Sequence, residues 1–215
     1  MAQVWAIVVA GGSGRRFGQL KQFALLEGRP VLAWTVEACR PFVAGVVLVV
    51  PASTGPGEAY GADTVVEGGA TRSDSVRHGL AAVPDSAEVI VVHDAARPLA
   101  PSGLFRAVID AVTQGDADGA VPGVAVSDTI KAVDAGGTVT ATLDRSTLVA
   151  VQTPQAFRAG VLRRAHAGAA GATDDAALVE ALGATVRVVP GHARNLKITT
   201  ADDLRTAEHL LAAGE

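Results

Sequence analysis

The sequence predicts an α/β protein, in which a mostly parallel β-sheet is covered by helices. One observation is that short apolar runs alternate along the chain with stretches whose apolar residues have helical spacing. The other is the composition of the strands: Gly45–Val50 reads GVVLVV and Val89–Val92 reads VIVV. Unbroken Val/Ile runs are typical of strands buried on both faces, as in a parallel sheet between two helical layers.

The predicted elements alternate along most of the chain. Short apolar runs, mostly bounded by glycine or proline, predict strands at Ala6–Ala10, Gly45–Val50, Thr64–Glu67, Val89–Val92, Gly119–Pro122 and Thr185–Pro190. Helical spacing predicts helices at Pro30–Arg40, Asp74–Val83, Leu104–Thr113 and Ala201–Ala213.

The segment Val124–Val151 departs from this pattern. Its two alternating stretches flank the turn sequence DAGGTV, which is typical of a β-hairpin. No linker or repeat divides the chain, so we expect a single domain over residues 1–215 with residues 124–151 as an inserted β-arm. Because an isolated hairpin is marginally stable in water, the arm is expected to pack on a second copy of the chain. The alternative is a hairpin folded back on its own domain, with Arg145 in a surface ion pair.

Composition excludes several classes of protein. With 49% hydrophobic residues the chain can bury a core, and its 18 Lys+Arg against 22 Asp+Glu show no basic excess for nucleic acid. No apolar stretch approaches the roughly 20 residues that cross a bilayer, and no secretory signal is visible. The single Cys39 suits a reducing compartment. We therefore expect a cytoplasmic protein that binds neither nucleic acid nor membrane.

The first candidate site is a glycine-rich loop after the first strand, where Ala10–Arg16 reads AGGSGRR and Lys21 follows. Ligands of α/β sheets bind at the carboxyl ends of strands, and glycines let backbone N–H groups approach phosphate oxygens. Arg16 and Lys21 would neutralise the phosphate charge. The spacing matches neither G-x-x-x-x-G-K-[ST] nor G-x-G-x-x-G. The alternative is a tight turn with solvated cations.

Two further motifs follow strands. Gly68-Gly69 could bring backbone to the edge of a base, with Ser75 nearby, although Asp74 or Ser73 capping a helix would explain the same residues. His93–Pro98 reads HDAARP. It places Asp94 at a strand end, where a carboxylate could hold Mg²⁺. The alternative there is a local ion pair between Asp94 and Arg97, and His93 is expected to be structural.

The motifs occur in an order that resembles one family. The ordered set is Ala10–Arg16, Lys21-Gln22, Gly68-Gly69 with Arg72 and Ser75-Val76, His93–Pro98, Asp128–Lys131, Leu143–Arg145, Gln152–Gln155, Thr173–Ala176 and Asn195–Thr199. Over essentially its whole length the chain resembles the 2-C-methyl-D-erythritol 4-phosphate cytidylyltransferases of the non-mevalonate isoprenoid pathway. The resemblance implies a Rossmann-like nucleotidyltransferase fold, CTP and a sugar phosphate as substrates, Mg²⁺ as cofactor, and a homodimer with shared active sites.

The resemblance also implies roles for single residues. The implied catalytic residues are Arg16, Lys21 and Lys197. The implied CTP-binding residues are Ala10, Gly11, Gly12, Gly69, Ala70 and Ser75. The implied sugar-phosphate residues are Asp94, Arg97, Thr129, Arg145, Thr153 and Thr173, with Asp94 also at the metal, and with Thr129 and Arg145 reaching the neighbouring subunit's site.

Two departures from the family pattern matter. Ala70 stands where an acidic residue is frequent, so only backbone reading of the base would remain there, and Arg194 precedes Asn195 where a small or acidic residue is frequent.

Three alternatives stay open on the sequence. One is the same reaction with another acceptor, such as ribitol 5-phosphate. The others are a general sugar-1-phosphate nucleotidyltransferase and a nucleotide-sensing module without turnover.

Overall fold

A mixed sheet forms the centre of the protein, whose computed structural model describes residues 2–11, 20–54, 57–168 and 174–214. The strands in these residues are β1 Val4–Val9, β2 Leu25–Leu26, β3 Arg29–Pro30, β4 Gly45–Val50, β5 Thr64–Glu67, β6 Val89–Asp94, β7 Gly119–Ala125, β8 Lys131–Val133, β9 Val139–Thr142, β10 Val149–Val151, β11 Gln155–Arg158 and β12 Val186–Pro190. The α-helices are α1 Val31–Cys39, α2 Arg72–Ala82, α3 Ser102–Thr113, α4 Ala159–Ala167, α5 Asp175–Glu180 and α6 Ala201–Ala212.

The main sheet has the strand order β10-β7-β11-β6-β1-β4-β5, and β12 pairs with β7. Strand β1 lies between β4 and β6 and is parallel to both, with Ile7 opposite Val47 and Val92. Strands β5 and β12 are also parallel to their neighbours, whereas β11 and β10 are antiparallel to theirs. The predicted class, a mostly parallel sheet with helices, is confirmed.

Both faces of the sheet are buried, which explains the unbroken apolar runs. On β1, Ala6 and Val8 belong to the core layer that contains α1 and α3, whereas Ile7 belongs to the layer that contains α2, α4 and α5. Side chains of successive strand residues point to opposite faces, so a strand covered on both sides has no solvent-facing position and is mostly apolar. A third, smaller cluster holds α6 against β2 and the start of α1.

Most predicted elements lie within a few residues of the observed ones, but the short strands β2 and β3 and three elements of the second half were not predicted. Strand β11, helix α4 and helix α5 fill residues 155–180, apart from the gap in the described chain. Helix α2 begins at Arg72, two residues earlier than expected, because Thr71 is the residue that caps it. The Thr71 side chain accepts from the amide of Asp74, and the Asp74 carboxylate accepts from the amide of Thr71.

The inserted segment contains the expected hairpin, and its last strand joins the main sheet. Strands β8 and β9 pair antiparallel through a turn in which Gly137 has a φ of +83°, a conformation that glycine adopts freely. The base of the segment does have a place in the main sheet, because β10 pairs with the end of β7. We call residues 124–151 the arm.

No helix in the described ranges is both long enough and apolar enough to cross a membrane.

Candidate active site

A cleft of about 320 Å³ opens at the carboxyl ends of β1 and β6. It is lined by residues that come from both strand ends, from the loop before α2 and from the segment before α6, among them Ala10, Gly11, Lys21, Arg72, Asp94 and Lys197. Parallel strands bring their carboxyl ends to one edge, which is where an α/β sheet binds its ligands. The predicted position of the site is therefore the position of this cleft.

The hydroxyl of Ser75 is bonded to one glycine-containing loop at the side of the cleft and lies close to a second one. It accepts from the amide of Gly69 at 3.2 Å and donates to the carbonyl of Thr71 at 2.9 Å. A Cβ at Gly11 or at Gly68 would lie 2.8 Å from this oxygen. Glycine is therefore needed at both positions because each backbone passes against the same buried side chain, which is 1% exposed.

Two lysines reach the cleft and are held by oxygens of the chain itself. Lys21 Nζ donates to the carbonyl of Ile198 at 2.6 Å, and Lys197 Nζ donates to Asp94 Oδ2 at 2.6 Å. The segment that carries Lys197 is attached to the strand end, because the amide of Ile198 donates to the carbonyl of Ala96 at 2.8 Å. Lys21 and Lys197, 176 positions apart in the sequence, therefore line one cleft.

Asp94 is the carboxylate of the cleft, and cations surround it. Its other oxygen, Oδ1, lies 3.4 Å from Arg72 Nε. Burial raises the pKa of Asp94, but the guanidinium of Arg72 and the ammonium of Lys197 outweigh burial and hold the pKa well below its usual range. Asp94 is therefore ionised at neutral pH.

Behind Asp94 the strand end is fixed by Thr153. Its Oγ1 accepts from the amide of Asp94 at 3.0 Å and lies 2.8 Å from Nδ1 of His93. Burial lowers the pKa of His93 to about 3, so the ring is neutral and can accept the hydroxyl proton of Thr153. The structural interpretation of His93 agrees with this geometry. Asn195 completes the contact by donating to the carbonyl of Thr153 at 2.8 Å.

The structure gathers most of the predicted site residues and separates others. Those that line the cleft are Ala10, Gly11, Lys21, Ala70, Ser75, Asp94 and Lys197, and Gly69 is bonded to Ser75 beside it. Thr153 and Arg97 are buried next to the cleft, and Arg97 Nη1 donates to the carbonyl of Asn195 at 2.6 Å. Thr129 and Arg145 are exposed on the arm. Gly12, Arg16 and Thr173 lie outside the described residues.

The two family departures have separate outcomes. Ala70 lines the cleft and is exposed, so a methyl group stands there in place of a charge. Arg194 Nη2 donates to the carbonyl of Leu210 in α6 at 2.9 Å.

Sequence reasoning gave no role to Arg72, the third cation of the cleft. Its Nη1 donates to Asp175 Oδ2 at 2.7 Å, and Asp175 Oδ1 lies 3.0 Å from His166 Nε2. Arg72 stands in the same motif as Gly69 and Ser75, so its position beside a strand end was a signal. The partners Asp175 and His166 lie about a hundred positions further along, and nothing local connects them to Arg72.

The residues of the cleft fit Mg²⁺ only in a particular mode. In the described ranges no three or more His, Cys, Asp or Glu side chains cluster as metal ligands. Asp94 is the carboxylate among the described cleft residues. Mg²⁺ is commonly held by one or two carboxylates together with substrate phosphates and waters, so a single Asp beside a phosphate site is a compatible donor set.

At the carboxyl edge of a mostly parallel sheet, a glycine-bearing strand end, three described cations and an ionised carboxylate form a site that suits the phosphates of a nucleotide, as in a nucleotidyltransferase. A family model described as "IspD: 2-C-methyl-D-erythritol 4-phosphate cytidylyltransferase" matches residues 4–213. The chain belongs to this family, whose members transfer the cytidylyl group of CTP to 2-C-methyl-D-erythritol 4-phosphate. It is thus a cytidylyltransferase, and the sugar-1-phosphate, other-acceptor and non-catalytic alternatives are not favoured.

Relatives and solved structures agree with the family. The chain is 47% identical to the 2-C-methyl-D-erythritol 4-phosphate cytidylyltransferase of Saccharopolyspora erythraea, with 97% of this chain and 99% of that one covered. The chain is also 48% identical to the bifunctional enzyme IspD/IspF of Clavibacter michiganensis. This match covers 96% of this chain and 54% of that relative. The crystal structure of the Thermus thermophilus cytidylyltransferase superposes with a TM-score of 0.82 at 36% identity, covering 96% of this chain and 98% of that one.

Proposed function

We propose that the cleft binds CTP and that Lys21, Lys197 and Arg72 stabilise the charge of the phosphates during transfer to 2-C-methyl-D-erythritol 4-phosphate. The observation that carries the proposal is the excess of positive charge. Three cations line the described cleft, where a single carboxylate, Asp94, faces two of them. Such an excess suits a polyanionic ligand. By the family pattern Arg16 would add a fourth cation.

The substrate supplies its own nucleophile. A phosphate monoester carries up to two negative charges near neutral pH, because its second pKa is about 6. One of its oxygens attacks the α-phosphorus of CTP in line, the bond from that phosphorus to the bridging oxygen of the β-phosphate breaks, and pyrophosphate leaves with the electron pair. The chain therefore needs to position two anions and to stabilise the growing charge on the α-phosphoryl oxygens, which is the task of Lys21 and Lys197.

The base is assigned to the backbone of the glycine loops. The backbone at Ala10, Gly11, Gly69 and Ala70 would offer N–H and C=O groups to cytosine, with Gly12 continuing the phosphate loop. Ser75 is buried and already bonded within the chain, so its role is to hold these loops in register.

Asp94 is the residue that would hold Mg²⁺, together with oxygens of the nucleotide. When bound, the ion would neutralise phosphate charge and so reduce the repulsion between the two anionic substrates. Asp94 is ionised in the resting site, where Lys197 and Arg72 already balance its charge.

The acceptor pocket is assigned to Arg97, Thr153 and Thr173 of one copy, together with Thr129 and Arg145 from the arm of a second copy. The surface of the arm supports a homodimer, because Val133, Val139, Leu143 and Val149 are each between 42% and 58% exposed. Val151, on the same strand as Val149, and Val188 on β12 are also exposed, at 41% and 54%. Exposed apolar side chains in such number on one segment suit an interface with another protein surface.

The test is release of pyrophosphate from CTP or UTP, with 2-C-methyl-D-erythritol 4-phosphate or ribitol 5-phosphate as acceptor. We expect activity with CTP and the methylerythritol phosphate, and a large loss of kcat/KM with UTP, because buried groups that match cytosine would remain unpaired. Equal kcat/KM for the two nucleotides would refute the base site. Full activity in excess EDTA would refute the metal assignment, and preference for ribitol 5-phosphate would refute the acceptor.

A further inference from the structure

Arg72 is held between two carboxylates, and one of them lies outside the cleft. Its Nη1 donates to Asp175 Oδ2 at 2.7 Å, whereas its Nε lies 3.4 Å from Asp94 Oδ1. The shorter contact is therefore with the residue that does not line the cleft. Two separated anchors fix both the position and the rotation of a planar guanidinium.

Asp175 is fully buried, and both of its oxygens are occupied. Oδ1 faces His166 Nε2 at 3.0 Å, and an ionised carboxylate can only accept, so Nε2 carries the proton that is donated. Burial raises the pKa of Asp175, but the hydrogen bond from His166 and the charge of Arg72 lower it further than burial raises it. The carboxylate is therefore ionised and can turn little, since α4 and α2 each supply one donor.

This arrangement limits how closely Arg72 can approach Asp94. A guanidinium that faced Asp94 alone would be free to form a bidentate pair with it, and such pairs are strong. That pair would use both oxygens of Asp94, including the Oδ2 that now accepts from Lys197, and would withdraw the guanidinium from the open side of the cleft. The bond to Asp175 instead holds Arg72 at the longer distance, where its side chain is 29% exposed and lines the cleft.

We propose that Asp175, oriented by His166, is a positioning residue that holds the Arg72 guanidinium at the phosphate side of the cleft and divides its charge between two carboxylates. The proposal rests on the proposed function for its effect on turnover, but not for the geometry itself. Asp175 does not touch the substrates; it acts through Arg72.

The first test measures the position of Arg72 without any substrate. In ¹⁵N NMR spectra of the full chain, the Nη protons of Arg72, assigned by their loss in Arg72→Lys, should show hindered rotation in the wild type. The hindrance should persist in His166→Gln, whose amide nitrogen can replace Nε2 as donor, and should disappear in Asp175→Asn. A freely rotating Arg72 in the wild type would overturn the proposal, whatever the protein's activity.

The second test measures turnover with CTP and 2-C-methyl-D-erythritol 4-phosphate. Asp175→Asn should lower kcat by about 10- to 100-fold, because misplacing a charge-stabilising group has effects of that order. In the Arg72→Lys background the same change should lower kcat by less than about 3-fold, since the group that Asp175 positions is already altered. Equal losses in both backgrounds would show a structural role only and would overturn the proposal.

Two further variants keep the test decisive if Asp175→Asn does not fold. His166→Leu keeps the carboxylate but removes one of its two donors, and should lower kcat in the same direction by a smaller factor. Arg164→Gln alters an exposed residue of the same helix and should leave kcat and Arg72 rotation unchanged. If His166→Leu folds and matches Arg164→Gln in both measurements, His166 does not orient Asp175. Absence of turnover in the wild type would instead refute the proposed function, and the rotation of Arg72 would still decide the positioning role.

Discussion

At the scale of single residues, the hydroxyl of Ser75 restricts position 11 to glycine. A Cβ added at Gly11 would lie 2.8 Å from the Ser75 oxygen and 3.5 Å from the Ser75 Cβ. The first distance is a clash and the second is an ordinary van der Waals contact. The glycine requirement at position 11 therefore depends on the identity of residue 75.

We predict that Gly11→Ala loses most of its CTP binding and that Ser75→Ala partly restores it. Removing the hydroxyl removes the clash, so the double variant should bind better than the sum of the two single effects implies. Isothermal titration with CTP measures the affinity of the two single variants and of the double variant. Additive losses would show that the close approach of Gly11 to Ser75 does not govern the loop.

We predict that Lys21→Ala lowers kcat far more than it lowers stability. The lysine would meet charge that grows in the transition state, and one such donor is worth roughly 3–4 kcal/mol in kcat. Its contact in the resting chain is to the carbonyl of Ile198 at the cleft. Pyrophosphate release measures kcat, and thermal unfolding measures the change in stability. Turnover near the wild-type value would exclude Lys21 from catalysis. The same result is expected for Arg16→Ala.

Sequence patterns indicated the candidate residues that follow strands, but they did not indicate Asp175, which contacts Arg72 from outside the cleft. Asp94, Gly11 and Gly69 stand directly after apolar runs, so their place at the sheet edge follows from the pattern. The bond between Arg72 and Asp175 joins positions 103 apart, and its partner lies on a helix that no pattern predicted. Tertiary pairing of this kind has no local signature.

At the scale of elements, the carboxyl end of β6 is held by a neutral histidine. Burial lowers the pKa of His93 to about 3, against about 6.5 for an exposed ring. Between these two values the unfolded chain binds one more proton than the folded chain does. The stabilisation is complete above about pH 6.5 and is lost progressively as the pH falls toward 3.

We predict that the free energy of unfolding falls by about 2 kcal/mol more between pH 7 and pH 5 in the wild type than in His93→Asn. Asparagine cannot titrate, and its amide can still meet the hydroxyl of Thr153. Urea unfolding at the two pH values measures the difference. The comparison isolates His93 from His166, which both proteins share. Identical pH dependence would mean that His93 is not buried in its neutral form.

The elements that sequence analysis missed lack the features that revealed the others. Strand β11 reads QAFR, with neither an apolar run nor a β-branched residue, although three of its four residues are buried. Helices α4 and α5 lie in an Ala/Gly-rich stretch where apolar spacing is hard to read. Strand β4, in contrast, is a uniform apolar run, and β6 begins with one at Val89–Val92; both are buried on both faces, and their bounds were predicted to within two residues.

At the scale of the whole molecule, the arm exposes apolar surface that no other described segment of the chain covers. Val133 and Val139 lie on the two paired strands of its hairpin, 58% and 55% exposed. Arg145 donates to the carbonyl of Ser127 within the arm, so a guanidinium is fixed at its base. These features fit an arm that packs on a second copy and carries Arg145 to that copy's site.

We predict that two inactive variants, Arg145→Ala and Lys21→Ala, regain activity when their subunits exchange. In a mixed dimer with shared sites, one site carries both changes and the other carries neither. Mass spectrometry of the dimers verifies the exchange. At equal mixing, half of the dimers are mixed and each mixed dimer has one intact site. The rate of pyrophosphate release should therefore approach one quarter of the wild-type value.

The controls for this experiment are the unmixed variants and the oligomeric state. Each variant alone should stay inactive under the same treatment. Exchange without recovery, or a fully active monomer by light scattering, would exclude sites shared between copies.

The contacts that Lys21 and Lys197 make in the absence of ligand affect the rate at which pyrophosphate is released. Lys21 and Lys197 already hold oxygens of the chain, so a triphosphate displaces the Ile198 carbonyl and Asp94 before it gains the full attraction of either ammonium. The same two oxygens recapture the lysines when pyrophosphate departs. A site with vacant cations would bind polyanions more tightly and would also retain them longer. On the proposed function, these built-in competitors shorten the residence time of pyrophosphate and favour repeated turnover.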